Sequence, residues 1–212
     1  NLLDEGKPVG RICVTGNTGI DALRTTVREG YHNEHLDWAQ GSRLVLLTAH
    51  RRESLGEPMV RMFRAVRRVM EEHPDVKAVY PIHMNPEVRR AAHAELDGFD
   101  RLRIVEPLEV IDFHNFMAAS HLVLTDSGGI QEEAPSLCKP VRVRRDTTER
   151  PEGFACGTLR LVGTEEERIY RAFTELLESD EAYETMSRAS NPYGDGHASE
   201  RIADVLGEKG AN

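Results

Sequence analysis

No stretch of this chain approaches the roughly 18–20 consecutive apolar residues needed to cross a bilayer, and no basic start followed by an apolar run marks a leader. Neither membrane insertion nor secretion is expected. Cysteine is scarce: Cys13, Cys138 and Cys156 share no CxxC spacing and are odd in number, in a chain too long to need disulfide staples. Reduced thiols and a cytoplasmic setting are the expectation. Positive charge is in deficit, 27 Lys and Arg against 36 Asp and Glu for a net −9, which argues against a broad grip on nucleic-acid backbone. Any anion site must therefore be local. His32, His35, His73, His93, His114, His121 and His197 form no recognisable metal-ligand pattern, so no metal is expected. Internal repeats and low-complexity tracts are missing as well.

What is present is an alternating pattern. With 212 residues, 39% of them hydrophobic, the chain can bury one substantial core, with at most a small appendage. Apolar runs of strand length recur at 44–47, 76–80, 102–105, 122–124, 141–143 and 159–162. Helical patterns lie between most of them. In 58–72, Met59, Met62, Phe63, Val66 and Met70 fall on one stripe with arginines opposite; 87–96, 110–119, 130–137 and 165–177 read similarly. Strands alternating with helices predict an α/β fold, a Rossmann-like doubly wound parallel sheet.

The two ends break this rhythm. Residues 1–5 read as the middle of a helix that opens on Asn1 rather than Met, which suggests a fragment or a processed chain. A short strand over Ile12–Val14, a turn at 15–17, a helix from Ile20 and a polar linker over 31–41 are expected next. At the other end, 191–196 carries Asn-Pro, Gly and Asp-Gly turn chemistry, and 197–206 reads as an amphipathic helix. The implied division is 1–40, 41–190 and 191–212, with both end pieces suited to packing on something else.

Three strand ends carry polar clusters. The first, and the richest, is the run from Thr125 to Leu137, TDSGGIQEEAPSL. A buried strand there enters a turn at Ser127, Gly128 and Gly129 and continues as a helix. Glycines let backbone approach a ligand, and the first amides of a helix are unpaired donors at the positive end of its dipole. Such a turn suits a diphosphate, with Ser127 as a helix cap or phosphoryl donor; a Gly-rich turn is also an ordinary strand-to-helix connection. Glu133, on the same helix, is placed to accept hydrogen bonds from two ribose hydroxyls, whereas Glu132 is more simply a helix-favouring acid. Arg145 and Arg150, after the next strand, bring positive charge to the same sheet edge, although arginine-rich loops are commonly just solvated.

The second cluster, Ala49 to Glu53, holds His50 and Arg51; the neighbouring arginines favour a neutral, hydrogen-bonding imidazole at His50, although a histidine packed under a loop is the plain alternative. The third, Tyr80 to Arg89, presents His83 and Asn85 before a helix started by Pro86.

Together TAHRRESLGEP, YPIHMNP, EPLEVIDFHNFM, LTDSGGIQEEAPS, RDTTERPEG and MSRASNPYGDG resemble, in order and over about Asn1 to Gly207, the bacterial non-hydrolysing UDP-N-acetylglucosamine 2-epimerases. The resemblance implies the C-terminal, UDP-binding half of a two-domain fold like that of the B-type glycosyltransferases. On it, 1–40 is a remnant of the N-terminal domain with its linker, and 191–212 a helix crossing back. It implies an enzyme interconverting UDP-N-acetylglucosamine and UDP-N-acetylmannosamine by elimination and re-addition of UDP, with no cofactor. This chain alone would bind UDP and be inactive.

Position by position, the resemblance implies UDP and substrate contacts at His50, Leu108, Phe113, Ser127, Gly128, Gly129, Glu133 and Arg150, with His50 the one catalytic candidate. Arg51 and His83 match residues that bind a second, activating nucleotide sugar. UDP and UDP-N-acetylhexosamines are the implied partners, with a homodimer for the whole protein; no nucleic acid or membrane partner is expected. A B-type glycosyltransferase or a non-catalytic nucleotide-sugar-binding module are the alternatives. Some positions depart from the family pattern. Cys138 stands where glycine is usual, at a helix end where a left-handed backbone costs other residues roughly 1 kcal/mol. Arg142 and Arg144 replace apolar residues on one face of a strand, where two unpaired guanidiniums could not be buried. Gly19, Phe154 and Cys156 also differ.

Overall fold

Each of the six apolar runs becomes a strand in the computed structural model, which describes residues 2–49 and 55–210. They are β1 (Arg43–Leu47), β2 (Val76–Pro81), β3 (Leu102–Val105), β4 (Leu122–Thr125), β5 (Val141–Val143) and β6 (Leu159–Leu161). All pair in parallel, in the order β3-β2-β1-β4-β5-β6. Val45 of β1 stands opposite Ala78 on one side and Leu122 on the other. This is the Rossmann-like, doubly wound order, in which the direction of winding reverses between β1 and β4.

Helices cover both faces, and residue parity along the strands decides which. Val45, Leu47, Ala78, Tyr80, Leu122 and Leu124 pack under α3 (Glu57–Glu72), α4 (Pro86–Leu96) and α8 (Glu166–Glu178). Leu44, Leu46, Val79, Val123, Val141 and Val143 pack under α1 (Thr18–Thr26), α2 (Glu34–Ala39), α5 (Val110–Ala119) and α6 (Ile130–Ser136). The period of two along a strand makes this sorting automatic. On α3 the stripe Met59, Met62, Phe63, Val66, Val69 and Met70 is buried, each large side chain contributing about 1.5–3 kcal/mol relative to exposure. The helix starts at Gly56 (φ +78°) with Pro58 in its first turn. It stops at His73, before Pro74, which has no amide with which to continue it. Among the described residues no helix is long and apolar enough to cross a membrane.

Several expectations at the periphery are corrected. Residues 2–6 form a turn, not a helix, and Val9–Arg11 a short 3₁₀ turn. Ile12–Val14 forms no strand: it finds no sheet edge, and Val14 is 94% exposed. A three-residue strand cannot satisfy its own backbone. The helix expected from Ile20 begins at Thr18, because the Asn17 side chain accepts the Gly19 amide and caps it. The expected linker over 31–41 contains α2, capped in the same way by Asn33, with Leu36, Trp38 and Ala39 against the sheet. Two further helices were not expected, α7 (Pro151–Cys156) and α9 (Asp180–Ser187); both are short and α9 buries no residue fully.

The last helix, α10 (Ala198–Gly210), is capped from far away: the Asp21 carboxylate on α1 accepts the amides of Ala198 at 3.0 Å and Ser199 at 2.5 Å. Cys138, just past α6, adopts φ +56°, the one left-handed non-glycine among the described residues. Arg142 and Arg144 both point to the α8 side and both are buried. They are accepted there because each has a carboxylate. Arg142 donates to Glu175 Oε2 and to the Ala172 carbonyl, both at 2.8 Å, and burial pushes it down to about 10 against the pull of Glu175. Arg144 meets Asp126 at 2.9 Å with both side chains fully enclosed.

Candidate functional site

Where winding reverses, the loops after β1 and β4 leave for opposite faces and a crevice opens at the C-terminal edge of the sheet. A cleft of about 480 Å³ lies there. Four successive strand ends wall it: Thr48 and Ala49 after β1, Ile82 and His83 after β2, Leu108 after β3, and Ser127 after β4. Phe113, from the first turn of α5, adds an aromatic side, so the wall is mainly apolar with a few polar groups.

The turn at Ser127 is fastened from three directions. Thr125 Oγ1 accepts the Ser127 amide at 2.9 Å and shares a hydrogen bond with Thr48 Oγ1 at 2.6 Å, tying the ends of β4 and β1 together. Gln131 donates to the Ser127 carbonyl at 3.0 Å and accepts from the Thr148 hydroxyl at 2.7 Å. Thr148 in turn accepts the Arg150 amide at 3.0 Å, which secures the loop after β5. Behind the turn, the Asp126–Arg144 pair fixes the backbone entering it. Ser127 does not cap α6, as the sequence allowed; Gly129 stands at the cap, already helical at φ −63° and ψ −43°, without a side-chain bond. The hydroxyl of Ser127 is therefore not committed to the helix. A side chain on Gly129 would meet nothing nearer than Glu133 Oε1, at 3.9 Å, so protein packing does not demand glycine there and the space above this helix start is open.

Glu132 and Glu133, adjacent on α6, face about 100° apart and have separate duties. Glu132 accepts from the Arg150 guanidinium and from the Asn17 side-chain amide, so it positions the very arginine that the sequence singled out. Glu133 turns toward α5 and α1, where burial, and then the proximity of Glu132, push its carboxyl up. Arg145 is buried and pairs with Glu149.

The structure thus brings Leu108, Phe113, Ser127 and His83 to one cleft and reaches Glu133 and Arg150 through α6, the helix that starts at Gly129. Gly128 lies in the turn between β4 and α6. His50 and Arg51 lie outside the described residues. Sequence reasoning missed Glu132 as the partner of Arg150, the Thr48–Thr125 tie and the Gln131–Thr148 link. Two adjacent acids on one helix, which cannot share one task, were the available signal for the first; the others are contacts between distant residues with no local pattern. Among the described residues no group of three or more His, Cys, Asp or Glu is arranged to hold a metal.

The model of one family, described as UDP-N-acetylglucosamine 2-epimerase, matches residues 1–207. Among curated relatives, the UDP-N-acetylglucosamine 2-epimerase of Bacillus subtilis (strain 168) is 61% identical over 206 residues, covering 97% of this chain and 54% of the relative. A solved S. aureus MnaA–UDP co-structure superimposes with a TM-score of 0.94 at 51% identity, over 97% of this chain and 56% of that one. The UDP-GlcNAc 2-epimerase from Neisseria meningitidis, bound to UDP-GlcNAc, gives a TM-score of 0.90 at 42% identity, over 98% of this chain and 58% of that one. The chain spans about half the length of the relatives it matches.

Proposed function

Because the chain belongs to the UDP-N-acetylglucosamine 2-epimerase family, we propose that it is the UDP-holding half of an enzyme interconverting UDP-N-acetylglucosamine and UDP-N-acetylmannosamine at C2. The observation that carries this reading is the convergence of four strand ends on one cleft that holds Leu108, Phe113 and Ser127 together. In it, uracil lies against Phe113 and the Leu108 backbone, since an aromatic face suits a flat base. The diphosphate sits at Ser127, Gly128 and Gly129, where the first amides of α6 supply donors and a favourable dipole. Glu133 accepts the ribose hydroxyls. Arg150, held by Glu132, adds charge at the phosphate side, and His50 donates a hydrogen bond near the departing oxygen.

The chemistry removes the C2 proton and breaks the sugar–UDP bond, then re-adds UDP on the same face and the proton on the opposite face of C2. What leaves returns, so no redox cofactor or metal is called for. The demand on this half is to hold UDP both as substituent and as leaving group, with donors that act most strongly as charge develops on the diphosphate. The carboxylates that move the C2 proton belong to the remainder of the whole enzyme. Residues 41–190 carry the UDP-binding unit, on whose sheet α1 and α2 of 1–40 pack, with the outer sides of 1–40 and 191–212 turned toward that remainder. Arg51 and His83 take a second nucleotide sugar as activator. The whole protein acts in the cytoplasm as a homodimer supplying cell-envelope polysaccharide synthesis.

The test is made on the whole parent protein with UDP-N-acetylglucosamine in deuterated water. Formation of UDP-N-acetylmannosamine with deuterium at C2, and no need for an acceptor, is the expected result. Release of UDP only when a sugar acceptor is added would overturn the reading in favour of glycosyl transfer. The 212-residue chain alone should bind UDP without turning over substrate.

A further inference from the structure

Behind the carboxylate assigned to the ribose stands a histidine that the scheme above leaves without a task. His114 of α5 is 5% exposed. Its Nδ1 lies 2.7 Å from Thr26 Oγ1 at the end of α1, and its Nε2 lies 3.9 Å from Glu133 Oε2 on α6. Three helices therefore meet on one imidazole. The ring is fixed in place by its next neighbour too, since Asn115 donates to the Thr26 carbonyl at 2.8 Å and accepts the Arg28 amide at 2.9 Å.

The Thr26 hydroxyl has a single proton and two acceptors in reach, His114 Nδ1 and the Ala22 carbonyl at 2.8 Å. If the proton goes to Ala22, Nδ1 carries the ring hydrogen and Nε2 turns a lone pair on Glu133. If it goes to Nδ1, the ring hydrogen sits on Nε2 and points at Glu133. An ionised carboxylate selects the second tautomer, because a lone pair facing it in a poorly solvated site repels, whereas an N–H is a charge-assisted donor. Burial lowers the pKa of His114 and raises that of Glu133, so the ring offers a neutral N–H rather than a full charge. Glu132 does not compete for this donor, being turned to Arg150 and Asn17.

We propose that His114 is the positioning residue for Glu133: it donates its Nε2 hydrogen to Oε2 as a nucleoside diphosphate seats, and so aims the carboxylate at the ribose hydroxyls. The separation of 3.9 Å is longer than a hydrogen bond, and a change in the flexible Glu133 side chain of about 1 Å closes it. Without the ring, ordering that side chain falls entirely on the ligand, at a cost in affinity. This inference rests on the assignment of Glu133 to the ribose.

The test is titration of the chain with UDP and with 2′,3′-dideoxy-UDP, comparing the two Kd values. Wild type should prefer UDP by about 10–100-fold, the range for hydrogen bonds to a charged acceptor. His114→Asn keeps an amide near the Nδ1 position but does not reach Glu133; it should cut the preference about tenfold while leaving dideoxy-UDP binding within twofold. His114→Gln, which places an amide near the Nε2 position, should restore part of it. In a Glu133→Ala background, His114→Asn should change nothing further. If both His114 variants keep the wild-type ratio, or weaken the two ligands equally, the positioning role is wrong and His114 is structural. If Glu133→Ala itself leaves the ratio untouched, the ribose assignment falls, and the inference with it.

Discussion

The two faces of the sheet are built from different materials. The face under α3, α4 and α8 is packed by Met59, Met62, Phe63, Val66, Val69, Met70, Ile169 and Phe173; its buried charges, Arg142 and Arg144, are each matched to an acid. The face under α1, α5 and α6 has its own apolar layer but adds a chain of enclosed polar groups, Thr26, His114, Asn115, Gln131, Glu132 and Glu133, most of them bonded across helices. The first arrangement gains its stability mainly from apolar burial, with its few charges paired. The second gives some of that up to hold polar atoms in fixed directions, which is what recognition of a polar ligand requires.

Substitutions can break this contrast or sharpen it. Phe63→Ala should cost about 3–5 kcal/mol in a denaturant melt, yet leave the UDP Kd of the folded protein within twofold; a large loss of affinity would mean that the apolar face takes part in recognition. Arg144→Ala removes the guanidinium that Asp126 meets inside the protein and should cost nearly as much, about 3–5 kcal/mol. Replacing both partners with leucine should recover most of that loss. Because Asp126 leads directly into Ser127, the single variant should weaken UDP binding too, and equal affinities would detach this pair from the turn.

Glu133→Gln should act in opposite senses on stability and binding. Burial raises the Glu133 pKa in the fold, so the folded state holds that proton more firmly than the unfolded chain, and stability contributed there falls as pH rises through the shifted value. The variant should therefore melt above wild type at pH 7, with the gap narrowing as pH falls from the shifted value to the ordinary carboxylate value and changing no further below it. Its UDP affinity should fall. A melting point unchanged across that range would show that the carboxylate is not held at a cost. The smallest effect is at Cys138, where glycine should add about 1 kcal/mol by relieving the left-handed backbone.

The apolar face was the more legible of the two in sequence. All six strands could be placed because each has a short, mainly apolar core closed by turn residues, uninterrupted in β1 and β4 and broken by a single Lys or Arg in the others, and the α3 stripe repeats at spacings of three and four. The gathering of Ser127 and His83 followed from the same logic, since each stands just beyond a strand and the winding order brings those ends together, whereas Leu108 and Phe113 were indicated by the family resemblance alone. The polar network was not readable, because a hydrogen bond from Asn17 to Glu132, or a ring shared by Thr26 and Glu133, joins residues about ninety or more positions apart. Arg142 and Arg144 marked a departure from the family pattern, but only the fold supplied Glu175 and Asp126 as their partners. Short α2, α7 and α9 had too few residues to show a period.

The distant cap on α10 has a consequence for the order of folding. A helix that relies on Asp21 for its first amides cannot be completed by its own segment. Bringing Asp21 to Ser199 closes a span of 178 residues, which costs about 2–3 kcal/mol more in chain entropy than a ten-residue closure. Contacts of that range form after local ones. The final helix should therefore lock in last and be the first to open, with its amides exchanging with solvent while those of α3 are still protected.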